Sequence, residues 1–164
     1  MAERFTVTFE SLPKNLDELK ALPESSLTEP QFAAALFVAA AARFPEDREA
    51  AYEMIDFLRG PRPLSPMDKQ FIRDRLMDVN YIPNSYFAGA TTQNGYTPEA
   101  PYSITFETNP YSYDEDGYVK LWCKSSGADS PRQVVLRNKP STGQYFLWEQ
   151  YLLVGIRPCD DAWA

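Results

Sequence analysis

Three runs in the second half of the chain carry the clearest pattern of hydrophobic and polar positions. Residues 118–124 place Val119, Leu121 and Cys123 on one side and Tyr118, Lys120, Trp122 and Lys124 on the other, the period of two that a half-buried strand requires. Residues 132–137 and 144–149 follow after short stretches, and the three together predict an antiparallel meander. Pro140-Ser-Thr-Gly143 reads as the turn between the last two. Upstream, Tyr102, Ile104 and Phe106 alternate with Ser103, Thr105 and Glu107, and Phe5, Val7 and Phe9 alternate with Arg4, Thr6, Thr8 and Glu10. The first of these is the strand that precedes the meander, and the second is a strand at or near an edge.

Helical patterns fill the intervening stretch. Asn15 caps a short segment over residues 16–22, which Pro23 ends. Thr28 and Gln31 have capping-box spacing with Pro30 in the first turn, which predicts a helix over 29–43. Its alanines on all sides imply close packing between other elements. A second helix over 46–59 opens with Glu46 and Asp47 at the positive end of its dipole, buries Ala51, Met54, Ile55 and Leu58, and stops at Gly60. Ser65, Pro66 and Asp68 mark the start of a third over 66–77, with Phe71, Ile72, Arg75 and Leu76 on one side. The resulting picture is a single α+β domain over residues 1–164, with three main helices packed on one face of a four- to five-stranded antiparallel sheet.

Two segments have no period. The connector Gly60-Pro-Arg-Pro-Leu-Ser-Pro66 reads as a rigid link between helices, in preference to a ligand for a proline-binding domain. Residues 80–101 read as a surface excursion packed by its own tyrosines, or as a functional loop. The last strand has large apolar residues on both faces, Tyr145 and Leu147 against Phe146 and Trp148. It is therefore expected to be central, or covered on its second face by a helix, by the tail that carries Trp163 or by a second copy in a homodimer.

Composition narrows the function classes. The net charge of −7 argues against a protein that tracks nucleic-acid phosphates. The most apolar stretch, residues 32–42, is too short to span a bilayer, and the start has no basic and apolar leader, so no membrane partner and a cytoplasmic location are expected. The sequence contains no histidine, which removes Ser-His-Asp and Cys-His catalysis, Cys/His zinc sites and histidine pH switches. Cys123 and Cys159 have no metal-ligand spacing. Cys123 reads as a reduced core residue, with a disulfide between the two as the alternative.

Asp114 and Asp116 before Gly117 suggest a calcium loop, but in that register the twelfth position is Cys123 and the bidentate glutamate is missing. A hairpin turn with Gly117 at positive φ explains the same residues. No P-loop, dinucleotide fingerprint, G-x-S-x-G or S-x-x-K motif is present, so no cofactor is implied and an enzyme is the less favoured class. The candidate binding surface is the outward face of the meander. Tyr118, Lys120, Trp122, Lys124 and Arg137, with Val135 and Lys139, place aromatics beside cations that attract and stack on an anionic partner.

Residues 56–66, 68–74, 85–90, 109–113 and 146–150 together resemble an uncharacterised bacterial family of unknown function from Gram-positive, clostridia-like anaerobes, over nearly the whole chain. The resemblance implies a bacterial, intracellular protein and carries over no catalytic residue. The function expected is a non-catalytic binding or regulatory module, with a protein partner or a second copy as the occupant. The runner-up is an enzyme or small-molecule carrier with a cone-shaped fold like that of the nuclear transport factor 2 superfamily, from which the opening strand departs.

Overall fold

The computed structural model describes residues 2–77, 79 and 81–162. Strand β1 (Arg4–Phe9) opens the chain, and a sheet of β2 (Tyr102–Glu107), β3 (Tyr118–Cys123), β4 (Arg132–Lys139) and β5 (Gln144–Gln150) completes it. The strands lie in sequence order and every neighbouring pair is antiparallel. The helices are α1 (Leu16–Lys20), α2 (Pro30–Arg43), α3 (Arg48–Arg59), α4 (Pro66–Leu76) and the single turn α5 (Tyr81–Asn84). The α+β architecture and the antiparallel meander thus stand as expected.

The alanines of α2 decide how the layers meet. Every residue from Ala33 to Ala41 is buried, and small side chains let neighbouring backbones approach on all sides. The helix touches β1 and β5, the two edges of the sheet, as well as β4, α3 and α5, so the sheet curls around it. Phe9, Phe37, Phe106, Leu121 and Leu136 fill the space between, each at most 1% exposed. Cys123 is buried and reduced on this inner face, and Cys159 is exposed and free.

The capping box expected at Thr28 does not form. Leu27 takes a left-handed conformation (φ 57°), the Thr28 hydroxyl turns to Ser26 at 3.1 Å, and α2 begins at Pro30 with no side-chain cap. Helix α3 is capped instead by Asp47, which accepts from the Ala50 N–H at 3.1 Å, so it starts later than its acidic opening suggested. The α4 cap is as expected: Ser65 and Asp68 bond each other's backbone N–H reciprocally. This helix hangs on α3, where Tyr52 donates to the Lys69 carbonyl at 3.0 Å and Arg59 meets Asp68 at 3.2 Å. It buries Ile72 and Leu76, and it leaves Phe71 partly exposed beneath the Arg75 guanidinium, 5.0 Å from the ring centre.

Strand β5 is an edge strand, so of the two expectations the central position does not hold. Its free flank is covered by other parts of the chain. Tyr145 donates its N–H to the Leu27 carbonyl at 2.8 Å, the Gln144 amide reaches the Ser26 carbonyl at 3.3 Å, and Arg62 donates to the Trp148 carbonyl. Backbone groups on an edge strand template further pairing unless something occupies them, and here the connector and the approach to α2 do so. Trp163, the expected cover, lies outside the described residues. The described part of the tail turns to β4 instead, where Arg132 donates to the carbonyls of Val154 and Gly155 at 3.1 and 2.9 Å.

The aperiodic stretch is packed in part by its own tyrosines, as the first of its two readings expected. Residues 85–88 run beside β2, with the Ala88 N–H on the Ser103 carbonyl at 2.8 Å and the Ser126 N–H on the Ser85 carbonyl at 3.1 Å. Tyr96 is fully buried, stacks on Tyr81 at 5.8 Å and donates to the Arg157 carbonyl at 2.6 Å.

Candidate functional site

The site is assembled where α3 ends. Gly60 has φ 60° and ψ −120°, a conformation open only to glycine, and a Cβ there would lie 2.5 Å from the Phe146 ring. Glycine therefore does two things at once: it stops α3 and it lets the connector lie against β5. The connector is then laced in place, with Arg59 Nε donating to the Arg62 carbonyl at 2.9 Å and the Leu64 N–H to Asp56 at 2.8 Å.

From this frame Arg62 reaches over Trp148, its guanidinium 3.9 Å from the ring centre. A bulge makes the contact available. Val135 pairs with Glu149 whereas Leu136 pairs with Leu147, so Trp148 is an extra residue in β5. Leu147 keeps its buried position, and Trp148 lies with Phe146 on the outer side. There Arg137 stands 4.6 Å from the Trp148 ring and 5.5 Å from the Tyr118 ring, and the two rings meet edge to face at 5.7 Å. Trp148 thus has a guanidinium within cation–π range from each of two elements that share no local sequence.

Beside this cluster lies a cavity of about 390 Å³, open to solvent, whose walls include Pro61, Pro140, Phe146 and Trp148. Its charged lining is Arg59, Arg62, Arg137 and Lys139, without a carboxylate. A second groove of about 300 Å³ shares Arg59, Arg62 and Trp148 and adds Phe71, Tyr151 and the carboxylates of Asp68 and Glu149. Burial lowers the basicity of Arg59, and Asp68 opposes that shift. Burial also pushes the Asp68 carboxyl up, but its hydrogen bonds with Ser65 and the guanidinia of Arg59 and Arg62 outweigh it, so the carboxyl sits below its ordinary value.

A family model described as a domain of unknown function, DUF6935, matches residues 11–160, a span that contains the connector, β2 to β5 and every residue of the cation–aromatic cluster. The chain belongs to the DUF6935 family. No curated protein and no solved structure matches it.

In this DUF6935 domain the five residues singled out in the sequence are not all brought into contact with one another. Tyr118 and Arg137 are cross-strand partners and join Trp148. Lys120 is drawn into an ion pair with Asp114 at 3.1 Å, from the turn that Gly117 closes at φ 87°. Trp122 faces Glu107 on one neighbour and Gln133 on the other, half-buried. Lys124 lies past the end of β3 and lines a separate cleft of about 210 Å³ with Tyr86, Ser103 and Glu107. Val135, opposite Lys120, is only 7% exposed although it points outward, a depth consistent with long side chains lying over it.

Sequence reasoning missed Arg62 and Trp148. Arg62 sits between two prolines in a stretch whose composition signals only stiffness. Trp148 was visible as an unexplained large residue on a second apolar face, and that anomaly was the available signal for a bulge.

Proposed function

We propose that this DUF6935 domain is a non-catalytic binding module that engages an anionic partner through the outer face of β3 to β5. Tyr118, Arg137 and Trp148 are its centre, with Trp122, Lys120 and Lys124 towards its other end. The bacterial, cytoplasmic setting suggested by the sequence belongs to the same proposal.

One observation carries this reading: Trp148 has both Arg62 and Arg137 against its ring on a surface whose cavity is lined by cations and no acid, in a chain of net charge −7. Cations fixed over aromatic rings offer both charge and stacking area to a ligand. The interior gives the cone-shaped carrier less support, because the space between α2 and the sheet, where such a fold would hold its ligand, is occupied by Phe37, Phe106, Leu121 and Leu136.

Affinity capture from soluble extract tests the reading. The wild-type chain is compared with a Trp122→Ala/Arg137→Ala variant that melts at a similar temperature. Partners held by the wild type and lost by the variant are the expected result. Equal capture of every partner would remove this face from consideration.

A further inference from the structure

We propose that the cavity over Phe146 and Trp148 is a small-molecule site for a flat ring bearing a phosphate or carboxylate, with Arg137 receiving the charge. The inference rests on the binding-face reading above and specifies the ligand chemistry at one end of that face.

Size sets the class of occupant. A volume of about 390 Å³ fits a single small molecule, at the lower end of the range for ligand pockets. The walls set its shape. Phe146, Trp148, Pro61 and Pro140 offer flat, stiff apolar surfaces, and the fixed φ of the two prolines stiffens the backbone that carries them.

The cations set its charge, and they are not equivalent. Arg59 is committed to Asp68 at 3.2 Å and to the Arg62 carbonyl at 2.9 Å. Arg62 is committed to the Trp148 carbonyl. Arg137 and Lys139 pair with no described carboxylate. Of these two, Arg137 is held in place by Tyr118 and Trp148, and these ring contacts give its N–H donors no oxygen acceptor. Its planar fork of N–H donors therefore remains for a ligand and matches the paired oxygens of a carboxylate or phosphate. Lys139, exposed like Arg137 but in contact with no ring, adds attraction that water and salt weaken.

The test is calorimetric titration of the full chain with phenyl phosphate, benzoate, inorganic phosphate and benzyl alcohol. Both aryl anions should bind with a dissociation constant on the order of 1 mM, as expected for ligands of this size. Inorganic phosphate and benzyl alcohol, each carrying one half of the recognition, should bind about tenfold more weakly or worse. Arg137→Gln should raise the aryl-anion constants about tenfold, Arg137→Lys should fall between it and wild type, and Lys139→Ala should cost about threefold.

The assignment is overturned if wild-type protein binds neither aryl anion, if Arg137→Gln binds them as wild type does, or if inorganic phosphate binds as tightly as phenyl phosphate. Partner capture that still depends on Trp122 and Arg137, with no aryl-anion binding, overturns the cavity assignment and leaves the binding face standing. Loss of both overturns both.

Discussion

The outer face of this sheet has two ends that use the same strand geometry differently. At the β1–β2 end, polar side chains answer one another: Thr6 with Thr105 at 2.9 Å, Thr8 with Ser103 at 3.1 Å, Arg4 with Glu107 at 3.3 Å. At the β4–β5 end, Arg137 meets rings on both sides and no described carboxylate. Cross-strand pairs that satisfy each other stabilise a sheet and ask nothing of a ligand. Charged donors held in position without an acceptor keep their capacity for one, and this separates a structural face from a candidate binding face.

Substitutions sharpen the contrast. Gly60→Ala should have the largest effect, because it combines a backbone conformation closed to alanine with a clash at the Phe146 ring. A loss of about 2–4 kcal/mol in denaturant unfolding is expected, together with displacement of the connector from β5. Trp148→Ala follows at about 1–2 kcal/mol, since the ring is half-buried, and it should also release Arg62 and Arg137. Stability unchanged by Trp148→Ala would mean that the stack is not formed in solution.

Asp68→Asn should cost about 1 kcal/mol through the α4 cap, read as a drop in melting temperature at neutral pH. The pH dependence has a defined sign. The Asp68 carboxyl titrates lower in the folded chain than in the unfolded one, so its contribution is complete at neutral pH. That contribution drains away as pH falls below about 4, and the wild-type advantage over Asp68→Asn should vanish there.

Arg137→Ala should change stability by only about 0.5–1 kcal/mol while weakening anion binding. At the other end of the face, Thr6→Val paired with Thr105→Val should shift stability by about 0.5 kcal/mol and leave binding untouched. A binding defect in that double variant would erase the distinction between the two ends.

Much of the architecture was legible because it is written in local periods. Alternation marked β1, β2 and β3, Ser65 and Asp68 announced α4, and Gly60 marked the end of α3. Thr28 misled because a capping box needs an extended cap backbone followed directly by helix. The left-handed turn at Leu27 and the bond to Ser26 divert the hydroxyl, and nothing in the spacing reveals that. The site was half legible: Tyr118 and Arg137 share a face by simple alternation, but their third partner depends on a bulge that breaks alternation at Trp148. Arg62 is 86 residues from Trp148 in sequence, and their meeting is a product of the tertiary fold. Lys120 shows the opposite failure, since its side of the strand was evident whereas its engagement by Asp114 was not.

The most direct check of the central claim follows the tryptophan indole N–H signals by NMR during titration with phenyl phosphate, with Trp148 assigned by its loss in Trp148→Phe. The Trp148 signal should move in a saturable way, the Trp122 signal should stay in place, and the movement should be abolished in Arg137→Gln. A stationary Trp148 signal, or one that moves equally without Arg137, would rule this site out.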